Sequence, residues 1–221
     1  MLQQLATLCE EIHMPEQATR VVLQITPGLD LCTLRPMLEG LFHETQWEES
    51  LAGLRTVLGD DPHGFKILTC ELLCALKTRE IFRERGISEE IFVETMKCFT
   101  RFVCEHHESY GRYGFDRAFW TPRQISVKLL RIEQLEYELA VKDGEPVISL
   151  HIPADGRLNA ESVDETLAET KEFLKTYFPD YPYKAIFCSS WILTVFTSPR
   201  ISSMADLALM LTPGSLLPLL T

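Results

Sequence analysis

Three arginines, Arg117, Arg123 and Arg131, stand among Phe115, Phe119 and Trp120 within the stretch Phe115–Leu139. A guanidinium is a planar fork of donors that matches a phosphate or a carboxylate, and an indole face beside it covers the pair. Gln124 adds a neutral donor and acceptor at the same place. This spacing predicts the wall of a site for an anionic ligand. The competing reading is a domain interface in which the arginines pair with acids and stack on the aromatic rings.

The rest of the chain makes that cluster unusual. It carries 21 Lys and Arg against 32 Asp and Glu, for a net charge of −11. Binding to nucleic acid or to an anionic membrane needs clustered cations, so no nucleic-acid and no membrane partner is expected. Any anion has to be held by a local group of arginines.

The elements that must position these residues change character along the chain. Before the cluster, apolar residues recur at helical spacing, first at Leu2, Leu5, Leu8 and Ile12. Pro15 starts a second helix with Val21, Val22, Leu23 and Ile25 as its apolar face, and Thr26-Pro27-Gly28 stops it. Further helices are expected over Asp30–Phe42, from Thr45 to Leu58, over Gly64–Arg83 and over Glu89–His107. No fixed repeat is present, so a solenoid is excluded.

After the cluster the period shortens. Leu135, Tyr137, Leu139 and Val141 alternate with Gln134, Glu136, Glu138 and Ala140, as in a strand with one buried face. Asp143-Gly144 is a hairpin signal, because both residues tolerate positive φ. The returning strand, Pro146–Ile152, sets Ile148, Leu150 and Ile152 against Val147, Ser149 and His151, and Pro153 ends it. Ser162-Val-Asp-Glu165 fits a capping box for a helix burying Val163, Leu167, Phe173, Leu174 and Tyr177. A third strand follows over Tyr183–Ser190, and the strand–helix–strand order favours parallel pairing.

The fold class expected is α+β. It has a helical N-terminal domain (residues 1–114), a mixed domain of hairpin, helix and strand (115–191) and an atypical apolar tail (192–221). That tail supplies no convincing further strands, so the mixed domain is expected to be incomplete. An apolar tail can also be buried against a second copy, which would make a homodimer.

Metal and redox readings are weaker. Seven cysteines are scattered through apolar helical contexts, an odd number that suits reduced thiols rather than a disulfide framework. Cys70 with Cys74, and Cys9 with His13, share helix faces, while Cys98 and Cys104 precede His106 and His107. None forms a CxxC pair or a four-ligand set, so no metal site is expected. Gly111-Arg-Tyr-Gly114 is taken as a plain turn, and no GxSxG, P-loop or HExxH pattern occurs. The N-terminus has no signal pattern and no run reaches the roughly 18 apolar residues of a bilayer span. A cytoplasmic location is expected.

Four motifs in order carry a family resemblance: Phe115-Asp-Arg-Ala-Phe-Trp-Thr-Pro-Arg-Gln124, Leu130-Arg-Ile-Glu-Gln-Leu-Glu-Tyr-Glu-Leu139, Ser149-Leu-His-Ile-Pro-Ala-Asp155 and Phe187-Cys-Ser-Ser-Trp191. They resemble a bacterial family of predicted acyltransferases, which join a helical N-acyltransferase N-terminal domain to a C-terminal domain like the GNAT (Gcn5-related N-acetyltransferase) fold. The resemblance covers roughly residues 1–191 and implies an N-acyltransferase with acyl-CoA as co-substrate, its acceptor unassigned. GNAT enzymes carry an Arg/Gln-x-x-Gly-x-Gly/Ala loop whose backbone N–H groups hold the pyrophosphate. Ala154-Asp-Gly-Arg-Leu-Asn159 occupies that place with one glycine. The alternative is therefore a GNAT-like binding or scaffold protein without turnover.

On the resemblance, His151 would face the acceptor and take the amine proton, or Glu136 would do so through a water. The Cys188 thiol, or a hydroxyl beside it, would protonate a leaving thiolate or be acylated. Arg117, Trp120, Arg123, Gln124 and Arg131 would line the co-substrate cleft. Against each stands a plainer role: a strand histidine, solvated carboxylates (Glu138 among them), a packed strand end and an interface.

Overall fold

The computed structural model describes residues 1–156 and 160–188, without the side chains of 160–165. The expected tail 192–221, the motif residues Ser189, Ser190 and Trp191, and the capping-box side chains lie outside the described residues. Two compact units are formed, Met1–Val127 and a second beginning at Lys128.

The first unit is helical: α1 Leu2–Glu11, α2 Glu16–Ile25, α3 Leu31–Gly40, α4 Trp47–Leu58, α5 Phe65–Glu84, α6 Glu89–Tyr110 and a single turn, α7, at Pro122–Ile125. Its boundaries follow side-chain chemistry. Asp30 caps α3 by accepting from the Cys32 and Thr33 amides at 3.1 and 3.3 Å, and Ser88 accepts from the Ile91 amide at the start of α6. Gly111 ends α6 at φ +69°, a left-handed cap that a Cβ would disfavour. The apolar stripe read in α1 is buried at Leu5 and Leu8, and Ile12 just beyond it is buried too. In α2 only Ala18 and Val22 are fully buried, so the broad face expected there is narrower.

Helix α5 is the centre of this unit and packs on α1, α2, α3, α4, α6 and α7. Leu68, Leu72, Ala75 and Phe82 are buried along it. Arg79, near its C-terminal end, is nearly buried and binds Glu11 of α1 and Glu89 of α6. The segment from Phe115 to Val127 packs with these helices. The Phe115 amide donates to His63 O at 2.8 Å, and Thr78 Oγ1 donates to Ile125 O at 2.7 Å.

The second unit is a sheet of β1 Leu129–Ile132, β2 Leu135–Lys142, β3 Glu145–His151 and β4 Ile186–Cys188, with α8 Ala160–Tyr177 between the last two. Strands lie in sequence order, antiparallel through β3 and then parallel from β3 to β4. The expected hairpin turn is present, with Asp143 and Gly144 at φ +53° and +81°. Strand β1 was not legible from alternation, because all four of its residues are buried. Its turn into β2 places Glu133 at φ +52° with no Gly, Asn or Asp to announce it. The whole is an α+β fold: helices first, then a mixed sheet.

Candidate functional site

Strand parity and register decide which side chains meet. Arg131 of β1 pairs with Glu136 of β2, and Glu136 pairs with His151 of β3, so the three form one row across the sheet. Glu138 and Ser149 form the next row on the same face, with Phe187 beyond them on β4. The opposite face is apolar: Leu130, Tyr137, Leu150 and Cys188 stand in register there. Charged groups therefore gather on one face of the sheet.

They are largely out of solvent. Arg131 and Glu136 keep 6% and 3% of their surface, and the His151 and Glu138 side chains keep 25% and 15%. Buried charge is tolerated only when paired. Arg131 Nη1 lies 2.8 Å from both carboxylate oxygens of Asp155, and its Nε donates to Glu133 O at 3.1 Å. His151 Nε2 lies 2.8 Å from Glu138 Oε2. An ionised carboxylate only accepts, so opposite an ionised Glu138 a neutral imidazole has its proton on Nε2 and its lone pair on Nδ1. A carboxylate that fixes the tautomer in this way makes an imidazole a competent base.

Cys188 is not brought to that group. It pairs with Leu150 on the apolar face, and burial pushes its thiol up to about 11. A thiol held protonated within the core is a poor nucleophile. Arg131 belongs to the second unit and ties the β1–β2 turn to Asp155.

In the first unit the guanidinium of Arg123 lies 4.4 Å from the Trp120 ring and 5.4 Å from the Trp47 ring, with Nη1 donating to Phe119 O at 3.2 Å. Trp47, at the start of α4, is not among the residues expected from the sequence, since nothing local joins it to Arg123. Its Nε1 donates to Leu41 O at 2.9 Å, which fixes the indole. Arg117 pairs with adjacent Asp116 at 3.0 Å, both about two-fifths exposed. Gln124 is fully buried. A cleft of about 420 Å³ in this unit is lined by Arg55, His63, His106, Phe115 and Asp116 among others; Phe115 of the expected cluster lines it, whereas Arg117, Trp120, Arg123 and Gln124 do not. Among the described residues no group of three or more His, Cys, Asp or Glu could hold a metal ion, and no helix is long and apolar enough to cross a membrane.

The family model for the N-acyltransferase N-terminal domain matches residues 3–127, and that for the GNAT-like C-terminal domain matches residues 85–206. The chain belongs to this N-acyltransferase family. Solved structures share the fold at a TM-score of 0.68. One, described as an acyltransferase in complex with decanoyl-CoA and teicoplanin, is 24% identical over 85% of this chain and 61% of its own. Another, with CoA and 10C-teicoplanin, is 22% identical over 88% and 64%. A third, with decanoyl-CoA, is 23% identical over 88% and 65%. This N-acyltransferase family member thus spans less than two thirds of those chains, and at such identity the likeness is one of fold. A comparison with curated protein sequences finds no match.

The place of the family's glycine loop is only partly described. The Gly156 amide donates to Pro153 O at 2.9 Å, and a Cβ at Gly156 would come within 2.9 Å of Gln134 O. This glycine serves a tight turn. Arg157, Leu158 and Asn159 lie outside the described residues.

Proposed function

We propose that the chain is an acyl-CoA-dependent N-acyltransferase of the GNAT-like class, with His151 as the base acting on an amine acceptor. The observation that carries this reading is the His151–Glu138 pair on the charged face of the sheet. The donor supplies an acyl thioester, and transfer to an amine forms an amide and releases the thiol of CoA. His151 Nδ1 takes the proton that the amine nitrogen loses as it bonds to the acyl carbon, and the leaving thiolate receives a proton in turn. Glu138 holds the ring and balances the imidazolium. Glu136, in the adjacent register position, is the alternative base through a held water.

Arg123, flanked by Trp47 and Trp120, is assigned an anionic group of the donor, with Arg117 as a weaker contact, whereas Gln124 is fully buried. A second reading, a GNAT-like binding or scaffold protein without turnover, is favoured by the one-glycine turn at Pro153–Gly156.

A thermal-shift titration with acetyl-CoA, decanoyl-CoA and free CoA tests donor binding, since a ligand of the folded form adds about 2.7 kcal/mol at a hundred times its Kd. Saturable stabilisation followed by acylation of amines in a mass-spectrometric screen supports the enzyme. Stabilisation without any acylation supports a binding protein without turnover, and no shift at millimolar donor overturns the enzyme reading in favour of a scaffold.

A further inference from the structure

One carboxylic acid with no part in that chemistry is sealed inside the helical unit. Glu71, in α5, has no exposed surface, and neither do Thr121 and Gln124, three residues apart at α7. Thr121 Oγ1 donates to Glu71 Oε2 at 2.5 Å. Glu71 Oε1 and both amide atoms of Gln124 have no protein hydrogen-bond partner. Burial holds the Glu71 carboxyl well above the usual 4.5, with the Thr121 hydrogen bond and the Arg55 charge opposing. A polar group so placed is costly, and a leucine there would pack with the apolar residues of α5 at lower cost.

The use of that acid is visible at the start of α7, where Thr121 is the residue before the turn. A single turn such as α7 cannot hold itself, since helix nucleation is unfavourable in isolation. Its far end is fastened by Thr78 on Ile125 O. Its near end is fastened by Glu71 on Thr121, between Trp120 and Pro122. Trp120 and Arg123 flank that point, and their mutual geometry depends on it.

We propose that Glu71 is a positioning residue for donor binding: through Thr121 it sets Trp120 and Arg123 so that the guanidinium is held against the two indoles for an anionic group of acyl-CoA. This rests on the reading of the Trp47–Arg123–Trp120 stack as a donor contact, and the experiment separates the two claims.

Decanoyl-CoA is titrated calorimetrically into the full chain and its variants, each well below its own melting temperature. Thr121→Val and Glu71→Leu are expected to weaken binding about tenfold, the effect of one lost hydrogen bond, while Thr121→Ser retains wild-type affinity. Thr121→Ala carries the test if the valine variant does not fold. With an acceptor in hand, the loss falls on KM for the donor and leaves kcat at saturating donor unchanged, which a merely loosened core would not select. If Arg123→Ala weakens binding but the Thr121 variants bind normally, the positioning role of Glu71 is overturned and the stack stands. If Arg123→Ala itself binds normally, the donor contact is elsewhere and both claims fall.

Discussion

Glu138 and His151 meet diagonally across β2 and β3, with Glu138 Oε2 2.8 Å from His151 Nε2, although the register opposes His151 to Glu136. A diagonal contact of this kind needs long side chains. It leaves Glu136 in the row between Arg131 and His151, and gives the imidazole a carboxylate of its own. Two neighbouring acids thus take different places around one histidine.

His151→Ala is expected to lower turnover by roughly 10²–10⁴-fold, the usual contribution of a general base, with donor affinity unchanged. Glu138→Gln keeps a hydrogen-bond acceptor but loses the balancing charge, so a smaller loss is expected. Steady-state kinetics beside calorimetric Kd values checks both. Full activity in His151→Ala would move the base to Glu136.

Glu71 makes stability depend on pH. Its folded carboxyl is raised above the ordinary 4.5, so between 4.5 and the raised value the native state binds more protons than the unfolded state. Stability therefore falls as pH rises through that window, by up to on the order of 1 kcal/mol per pH unit. Glu71→Gln, which does not titrate, removes this dependence. The melting temperature of the variant should gain on wild type from pH 5 to pH 8, and a constant difference would count against a neutral Glu71.

The ion pair of Arg131 with Asp155 is lopsided, since the arginine side chain is 6% exposed and the carboxylate 50%. Removing Asp155 strips a buried cation of that carboxylate, whereas removing Arg131 leaves an acid that water can solvate. Asp155→Ala is expected to cost about 1–3 kcal/mol, discounted for the exposed partner. Arg131→Met should cost less. Urea unfolding of both variants decides the order.

Cys188 should be chemically quiet. Its thiol is pushed up to about 11 by burial, while Cys32 is exposed. Iodoacetamide at neutral pH should label Cys32 well before Cys188, as read by peptide mass mapping. Cys188→Ala should leave kcat within about twofold, since a thiol in the core takes no part in proton transfer. Loss of turnover in a folded Cys188→Ala protein would return the thiol to the reaction.

Much of the fold was legible because its signals are local. Helical spacing, the stop at Thr26-Pro27-Gly28 and the Asp143-Gly144 turn each act within a few residues. Strand β1 was not, since burial on both faces erases alternation and Glu133 turns the chain without a turn residue. Of the candidate site, His151 and Glu136 could be placed on strands from parity alone. Their grouping with Arg131 and Glu138 could not, because it depends on register between strands. Trp47 stands far from Arg123 in sequence, and a glutamate inside a helix, such as Glu71, reads as a solvated one.

By itself, the sequence determined the succession of helices and the parity of β2 and β3, because these follow from backbone preferences and from the spacing of apolar residues along one segment. Only the tertiary structure decided which polar groups share an environment. Pairing of β1, β2 and β3 set Arg131, Glu136, Glu138 and His151 on one face, and pairing of β4 with β3 turned Cys188 to the other. Packing of α5 against α7 buried Glu71 on Thr121. Hydrogen bonds and burial act through space between residues distant in the chain, and no local pattern records them.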